Sequence, residues 1–166
     1  MAFEGYSERA RHVIFVARHI AGRYGSGTLD LNHVLVALIY EDQGDVWKPL
    51  SDVPELQGLS KRFPPQPDRS FFRSNVASRV LHKLEGALPR GKPLPSTTDI
   101  PMSSDLKATL GTAAGLRERF GQEQVEPLHI LAAALANESN QGVAILRQAG
   151  ITPEKVLDAI RPTGEK

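Results

Sequence analysis

Two stretches of this chain carry residue types that could do chemistry. Gly86-Ala87-Leu88-Pro89-Arg90-Gly91-Lys92-Pro93 satisfies G-x4-G-K, the opening of a loop that cradles nucleotide phosphates. Such a loop needs Ser or Thr next, to hold magnesium, and here the residue is Pro93. It should also leave a strand and open a helix, whereas this segment follows a helical pattern and runs into Pro-rich sequence. Pro89 and Pro93 each remove a backbone N–H where N–H groups would have to face phosphate. A linker is expected, not an ATPase. The second stretch is a pair of histidines, His33 and His129, each in the first turn of a helical pattern and 96 residues apart. An imidazole there can bond the preceding turn and fix the start of its helix.

No other arrangement suggests a reaction. The remaining histidines are His12, His19 and His82, none in an H-E-x-x-H pair, and His82 with Glu85 is a lone i,i+3 pair on a polar face. The chain has no cysteine, which excludes disulfides, thiolate nucleophiles and zinc-thiolate sites. There is no G-x-S-x-G nucleophile turn. Gly22, Gly25 and Gly27 follow a helix, so they read as its terminator and not as a dinucleotide fingerprint. We therefore assign no catalytic, cofactor-binding or metal-ligating residues and expect no cofactor.

The elements that position the two histidines occur twice. Asp30-Leu31-Asn32-His33-Val34-Leu35-Val36-Ala37-Leu38 aligns with Glu126-Pro127-Leu128-His129-Ile130-Leu131-Ala132-Ala133-Ala134. The same offset pairs Ser7 with Ser103, Ala17 with Ala113, Arg23 with Arg119 and Gly25 with Gly121, without a gap from Ser7 to Asp42. Self-similarity at fixed offset means one supersecondary unit used twice.

In each copy Ser7 or Ser103 is placed to cap a first helix, and Asp30 or Pro127 opens a second. Val46, Trp47 and Leu50 predict a short third helix before Pro54, and Lys61 to Asp68 a loop. Val76, Val80, Leu81, Leu84 and Leu88 mark a fourth helix. In the second copy Val143 to Ala149 and Thr152 to Ile160 supply the last two. No stretch alternates with period two. The expectation is an all-α fold: a tandem duplicated four-helix repeat of about eight helices, packed as one domain over residues 1–166. Repeat one spans 3–88, the connector 89–101, repeat two 102–161 and the tail 162–166.

Composition fits this reading. Of 166 residues, 40% are hydrophobic and 23% charged, enough apolar content for a real core. A formal charge of +1 gives no case for nucleic acid or an anionic membrane. No apolar run approaches the roughly 20 residues of a membrane helix, and Met1 to Tyr6 lacks the pattern of a signal peptide. The expected location is cytoplasmic.

Tyr6-Ser7-Glu8-Arg9-Ala10-Arg11-His12-Val13-Ile14, with Leu31 to Leu38, resembles the repeat of the Clp amino-terminal domain, which stands at the front of Clp/Hsp100 AAA+ ATPases. Ile100-Pro101-Met102-Ser103, Pro127 to Leu131 and Gly142 to Ile151 resemble its second repeat. The resemblance implies a non-catalytic module that docks substrate polypeptides or adaptor proteins for a Clp-type unfoldase or protease, with a Clp ATPase as a further candidate partner. The ATPase modules are absent from these residues, so the chain is a free-standing relative or part of something longer. The resemblance places partner contacts at Phe3, Ile14, Asn32, His33, Met102, Lys107, Leu128 and His129.

Two departures stand out. In the ClpC branch the residue before each signature histidine is typically Glu and helps recognise phosphorylated arginine; here Asn32 and Leu128 bring no charge to pair with a guanidinium. Val46 to Arg69 also lacks the family's Leu-Gly turn and carries Pro-rich sequence. An alternative reading from another class is a protein that sequesters a small molecule or cyclic peptide between its repeats.

Overall fold

The computed structural model describes residues 4–50, 70–95 and 97–160. Phe3, the loop expected over 61–68 and the tail from 162 lie outside the described residues. Within them stand seven α-helices: α1 Glu8–Arg23, α2 Leu31–Asp42, α3 Ser74–Ala87, α4 Ser104–Arg119, α5 Pro127–Leu135, α6 Gln141–Gln148 and α7 Pro153–Ile160. No strand is present among the described residues.

Each first helix starts where a serine hydroxyl takes up a free N–H. Ser7 Oγ accepts from the Ala10 N–H at 3.1 Å, and Ser103 Oγ from the Leu106 N–H at 3.1 Å. Each ends at a left-handed glycine, Gly25 at φ +76° and Gly121 at φ +65°. The second helices, α2 and α5, are apolar around almost their whole circumference and are buried accordingly. They pack on each other at the centre. α1 lies on α2 and reaches α5, while α4 lies on α5 and reaches α2. α3 covers α2 and α6, and α7 covers α5.

The two repeats are joined by an exchange. The residue two before α1 pairs in parallel with the residue two before α5, as Tyr6 with Val125, and Met102 pairs with Leu29 in the corresponding way. The Ser7 N–H donates to Val125 O at 3.0 Å and the Val125 N–H to Gly5 O at 2.9 Å. Their counterparts are Ser103 N–H to Leu29 O at 2.9 Å and Leu29 N–H to Pro101 O at 2.8 Å. Four backbone bonds thus tie each copy's first helix to the other copy's second.

Among the described residues the repeats differ just after the second helix. The short third helix expected from Val46, Trp47 and Leu50 is, among the described residues, a 3-10 helix, Lys48–Leu50, and residues 51–69 lie outside the described residues. Gly44, at φ +80°, reverses the chain just after α2, and Pro49 has no N–H to continue an α-helical ladder. Val46, Trp47 and Leu50 are nevertheless buried.

The chain returns at Ser70 into a clamp built on Asp42. Its carboxylate accepts the Phe71 N–H at 2.6 Å and the Phe72 N–H at 3.0 Å, and the Ser70 hydroxyl donates to Asp42 O at 2.8 Å. Asp42→Ala leaves two N–H groups without their acceptor and should cost about 2–3 kcal/mol. The midpoint of urea denaturation would show it, with the m-value unchanged.

The G-x4-G-K segment is a strap across the C-terminal end of α1. The Gly91 N–H donates to Tyr24 O at 2.7 Å and the Leu94 N–H to Gly22 O at 2.8 Å, while the Arg90 guanidinium lies 4.9 Å over the Tyr24 ring. The Gly91 N–H and, just past the segment, the Leu94 N–H thus satisfy carbonyls at the electronegative end of a helix.

Candidate functional site

Three helices begin at one place. α2, α4 and α6 have Asp30, Ser103 and Asn140 as their N-caps, and these residues with Leu31, Asn32, Ser104 and Asp105 line a cleft of about 330 Å³. Two of the caps are already engaged by their own helices. Ser103 Oγ holds the Leu106 N–H, and Asn140 Oδ1 holds the Val143 N–H at 2.9 Å. The lining is thus rich in oxygen acceptors and carries the carboxylates of Asp30 and Asp105.

Asn32 is seated against Gly142 at the start of α6. A Cβ at 142 would stand 2.5 Å from Asn32 Oδ1, 2.8 Å from a Leu35 methyl and 3.1 Å from Asn140 Oδ1. Only glycine lets α6 approach this closely, so Gly142→Ala must displace the Asn32 side chain. The Asn32 Oδ1 itself is buried and lacks a hydrogen-bond partner among the described residues.

The turn that presents Asn32 is fastened from beneath by His33. Its Nδ1 accepts the Asp30 N–H at 3.0 Å, so the neutral ring carries its proton on Nε2. His129 does the same for the Glu126 N–H at 2.7 Å. Both rings are almost fully buried, at 2% and 1% exposure, and therefore position Asn32 and Leu128 without themselves reaching the surface. Burial holds both imidazoles below their ordinary pKa, against the pull of Asp30 on His33 and of Glu126 on His129.

Beyond that the two copies part. His129 Nε2 donates to Gln122 Oε1, and Gln122 Nε2 donates to Ile160 O at 3.1 Å, which ties α5 to the end of α7. The residue corresponding to Gln122 is Ser26, whose hydroxyl turns to Thr28 O at 2.6 Å. His33 Nε2 is left buried without a partner among the described residues.

The place related to the cleft by the 96-residue offset is built differently. Leu128 stands for Asn32 and Arg9 for Asp105. Arg9 Nε donates to the buried Glu41 carboxylate, an ion pair close enough to Glu126 for the two acids to feel each other. Burial raises the Glu41 carboxyl, and Arg9 opposes that rise. A cation of the chain itself therefore occupies the second position.

The other residues assigned from sequence are scattered. Met102, half-buried, borders the cleft through its pairing with Leu29. Lys107 is exposed on the first turn of α4, and Leu128 is half-buried at the second position. Ile14 lies in the core at 7% exposure. Asp105 and Asn140 were not singled out from sequence. Asn140 had a usable signal, since an Asn before the α6 pattern is a strong N-cap candidate. Among the described residues no group of His, Asp and Glu is placed to hold a metal ion, and no helix is long and apolar enough to cross a membrane.

Comparison with known proteins gives a consistent picture. The family model described as the Clp repeat (R) N-terminal domain matches residues 74–149 and, in a second overlapping match, 101–165, together more than half of the chain. Among solved structures the fold is similar to the Hsp104 N-terminal domain of Candida albicans, at 21% identity and TM-score 0.63 over 98% of this chain and 94% of that one. It is similar to the N-terminal domain of the caseinolytic protease associated chaperone ClpD of Arabidopsis thaliana, at 19% identity and TM-score 0.61 over 96% and 94%. A structure from preliminary investigations of a malarial protein secretion system matches at 19% identity and TM-score 0.64 over 92% and 89%. No curated protein matches the sequence.

Proposed function

Because the chain belongs to the Clp repeat (R) N-terminal domain family, we propose that it is a docking module without catalytic activity, receiving polypeptide segments or the adaptors that carry them for a Clp-type unfoldase. The observation that carries this reading is the cleft at Asp30–Asn32, Ser103–Asp105 and Asn140. It lies where both repeats contribute walls, on helix ends held rigid by caps and by His33. Met102 borders it, and Lys107 stands exposed on the same helix as Asp105.

The lining also argues for what enters. Two carboxylates and several oxygen acceptors suit the donors of a lysine or arginine side chain. A phosphorylated side chain would meet Asp30 and Asp105 at close range, with the Leu106 N–H of α4 and the Val143 N–H of α6 already engaged by their caps. Binding should be modest, because docked cargo has to be released.

Fluorescence anisotropy with labelled decapeptides tests this, using central Arg, Lys, phosphoarginine or Glu. Arg and Lys peptides should bind in preference to the other two, and Asp105→Asn should weaken them about tenfold, the value of one charge-assisted bond. Preference for the phosphoarginine peptide, or no binding of any, would remove the reading.

A further inference from the structure

A second surface runs along α3 and the strap that follows it. From Arg73 to Lys92 the exposed Lys, Arg, Asp and Glu residues are all cations: Arg73, Arg79, Lys83, Arg90 and Lys92. The one acid of the segment, Glu85, is half-buried and accepts the Tyr40 hydroxyl at 2.9 Å, which ties it to α2. Residues 70–95 hold five Lys or Arg against one Glu, a net charge of +4, whereas the whole chain carries +1.

The elements packed against α3 do not balance this charge. α3 lies on α2 and α6. The acids of α2, Glu41 and Asp42, are buried and engaged with Arg9 and with the Phe71 and Phe72 N–H groups. α6 has no acidic residue. On the adjoining loops Asp45 and Glu138 are exposed, and Glu138 lies 3.8 Å from Arg147. Arg79 and Lys83 form no ion pair among the described residues.

The placement of these cations works against the helix that carries them. Arg79 and Lys83 stand four residues apart, on the side away from the buried Ala77, Val80 and Leu84, and like charges at that spacing repel. Arg73 is the N-cap, where its side chain makes no capping bond and a cation meets the positive end of the helix dipole. The last helix of repeat two shows that the fold does not ask for this. α7 carries exposed Glu154, Lys155 and Asp158, the mixed charges of an ordinary solvated face.

We propose that this strip is a docking surface for an acidic segment of a partner protein, whose carboxylates face Arg79 and Lys83 and reach Arg73 at one end and Arg90 at the other. A guanidinium suits bidentate bonds to carboxylate, and that of Arg90 is set in place over the Tyr24 ring. Among the described residues no Phe, Tyr or Trp is exposed on the strip for bases to stack on, and no large apolar side chain to enter a bilayer. Polypeptide is therefore favoured over nucleic acid or membrane. The 14 residues of α3 extend about 21 Å, a length that about six extended residues cover.

The probe is a synthetic decapeptide rich in Asp and Glu, with a lysine-for-acid version and a short DNA duplex as controls. Titrated into isotopically labelled protein, the acidic peptide should shift the backbone amides of Arg73 to Lys83 and of Arg90 to Lys92, with the lysine peptide inert and the duplex weaker. Arg79→Glu should weaken binding about tenfold yet leave the protein at least as stable, since it sets a carboxylate four residues before Lys83. Arg73→Asp, which supplies an N-cap, should act in the same way. Loss of binding is thereby separated from loss of fold. Arg11→Glu, an equal charge reversal on α1, and Asp105→Asn in the cleft should both leave binding unchanged, which separates the strip from net charge and from the proposed cargo site. The proposal fails if the acidic peptide does not bind, if the lysine peptide or the duplex binds as well, or if Arg79→Glu has no effect. It fails also if sedimentation shows a dimer of this chain that Arg79→Glu dissociates, since the strip would then belong to a second copy.

Discussion

Gly25→Ala should destabilise the protein by about 3–4 kcal/mol, while Gly121→Ala, its counterpart in the second repeat, should cost only about 1 kcal/mol. Both glycines end a first helix in the left-handed region, at φ +76° and +65°, so an alanine pays a similar conformational cost at either. What differs is the surroundings. A Cβ at 25 would stand 2.5 Å from Lys92 O and 2.7 Å from the Gly91 carbonyl carbon, whereas one at 121 meets nothing within 4 Å. The obstacle at 25 is backbone, so the strap itself would have to lift. Lifting it breaks the bonds from Gly91 to Tyr24 and from Leu94 to Gly22, each worth about 1 kcal/mol, and uncovers the end of α1. Chemical denaturation of the two variants side by side measures the difference. Equal losses would mean that the strap contributes little to holding α1.

That strap shows where sequence reasoning succeeds and where it stops. The missing Ser or Thr and the two prolines argue for a linker at Gly86 to Lys92, and from Leu88 the segment is indeed a connector between α3 and α4. They could not reveal that the Gly91 and Leu94 N–H groups close the end of α1, because the partner carbonyls lie some seventy residues earlier in the chain. The duplication itself was legible, since the 96-residue offset aligns caps, apolar stripes and terminating glycines residue by residue. The exchange between copies was not. It rests on two isolated bridges, at Tyr6 with Val125 and Met102 with Leu29, too short to impose an alternating pattern. The cleft was half visible. Asn32 was marked by the repeat, but Asp105 and Asn140 join it only through packing of three separate helices. The short third helix expected in repeat one is met over Lys48–Leu50 as a 3-10 helix, a form that buried apolar residues at 46, 47 and 50 suit as well as an α-helix.

The histidines give the second large effect, and their difference is its signature. His129→Ala should cost about 3–4 kcal/mol and His33→Ala about 1 kcal/mol less. Each variant leaves a cavity and a helix-start N–H without its acceptor, Glu126 in one case and Asp30 in the other. Only the loss of His129 also strands the Gln122 amide and so loosens the tie to Ile160 at the end of α7. The converse change is Ser26→Gln, which offers an acceptor to the buried His33 Nε2 from a backbone turn already matched to that of Gln122. The Ser26 N–H donates to Ala21 O at 2.8 Å, as the Gln122 N–H does to Arg117 O at 3.0 Å. A gain in stability from Ser26→Gln that vanishes in a His33→Ala background would identify the new bond. Acid reports on the same rings. Both are held neutral by burial, with folded pKa values below the ordinary 6.5. The unfolded chain therefore takes up protons first as pH falls, so stability is full above about 6.5 and is lost below it, through the folded pKa values. Because protonated Nδ1 cannot accept the Asp30 or Glu126 N–H, the loss falls on the turns that carry Asn32 and Leu128. Unfolding free energies measured between pH 7.5 and 5 should decline, and the decline should be shallower in each histidine variant; parallel curves would place the acid sensitivity elsewhere.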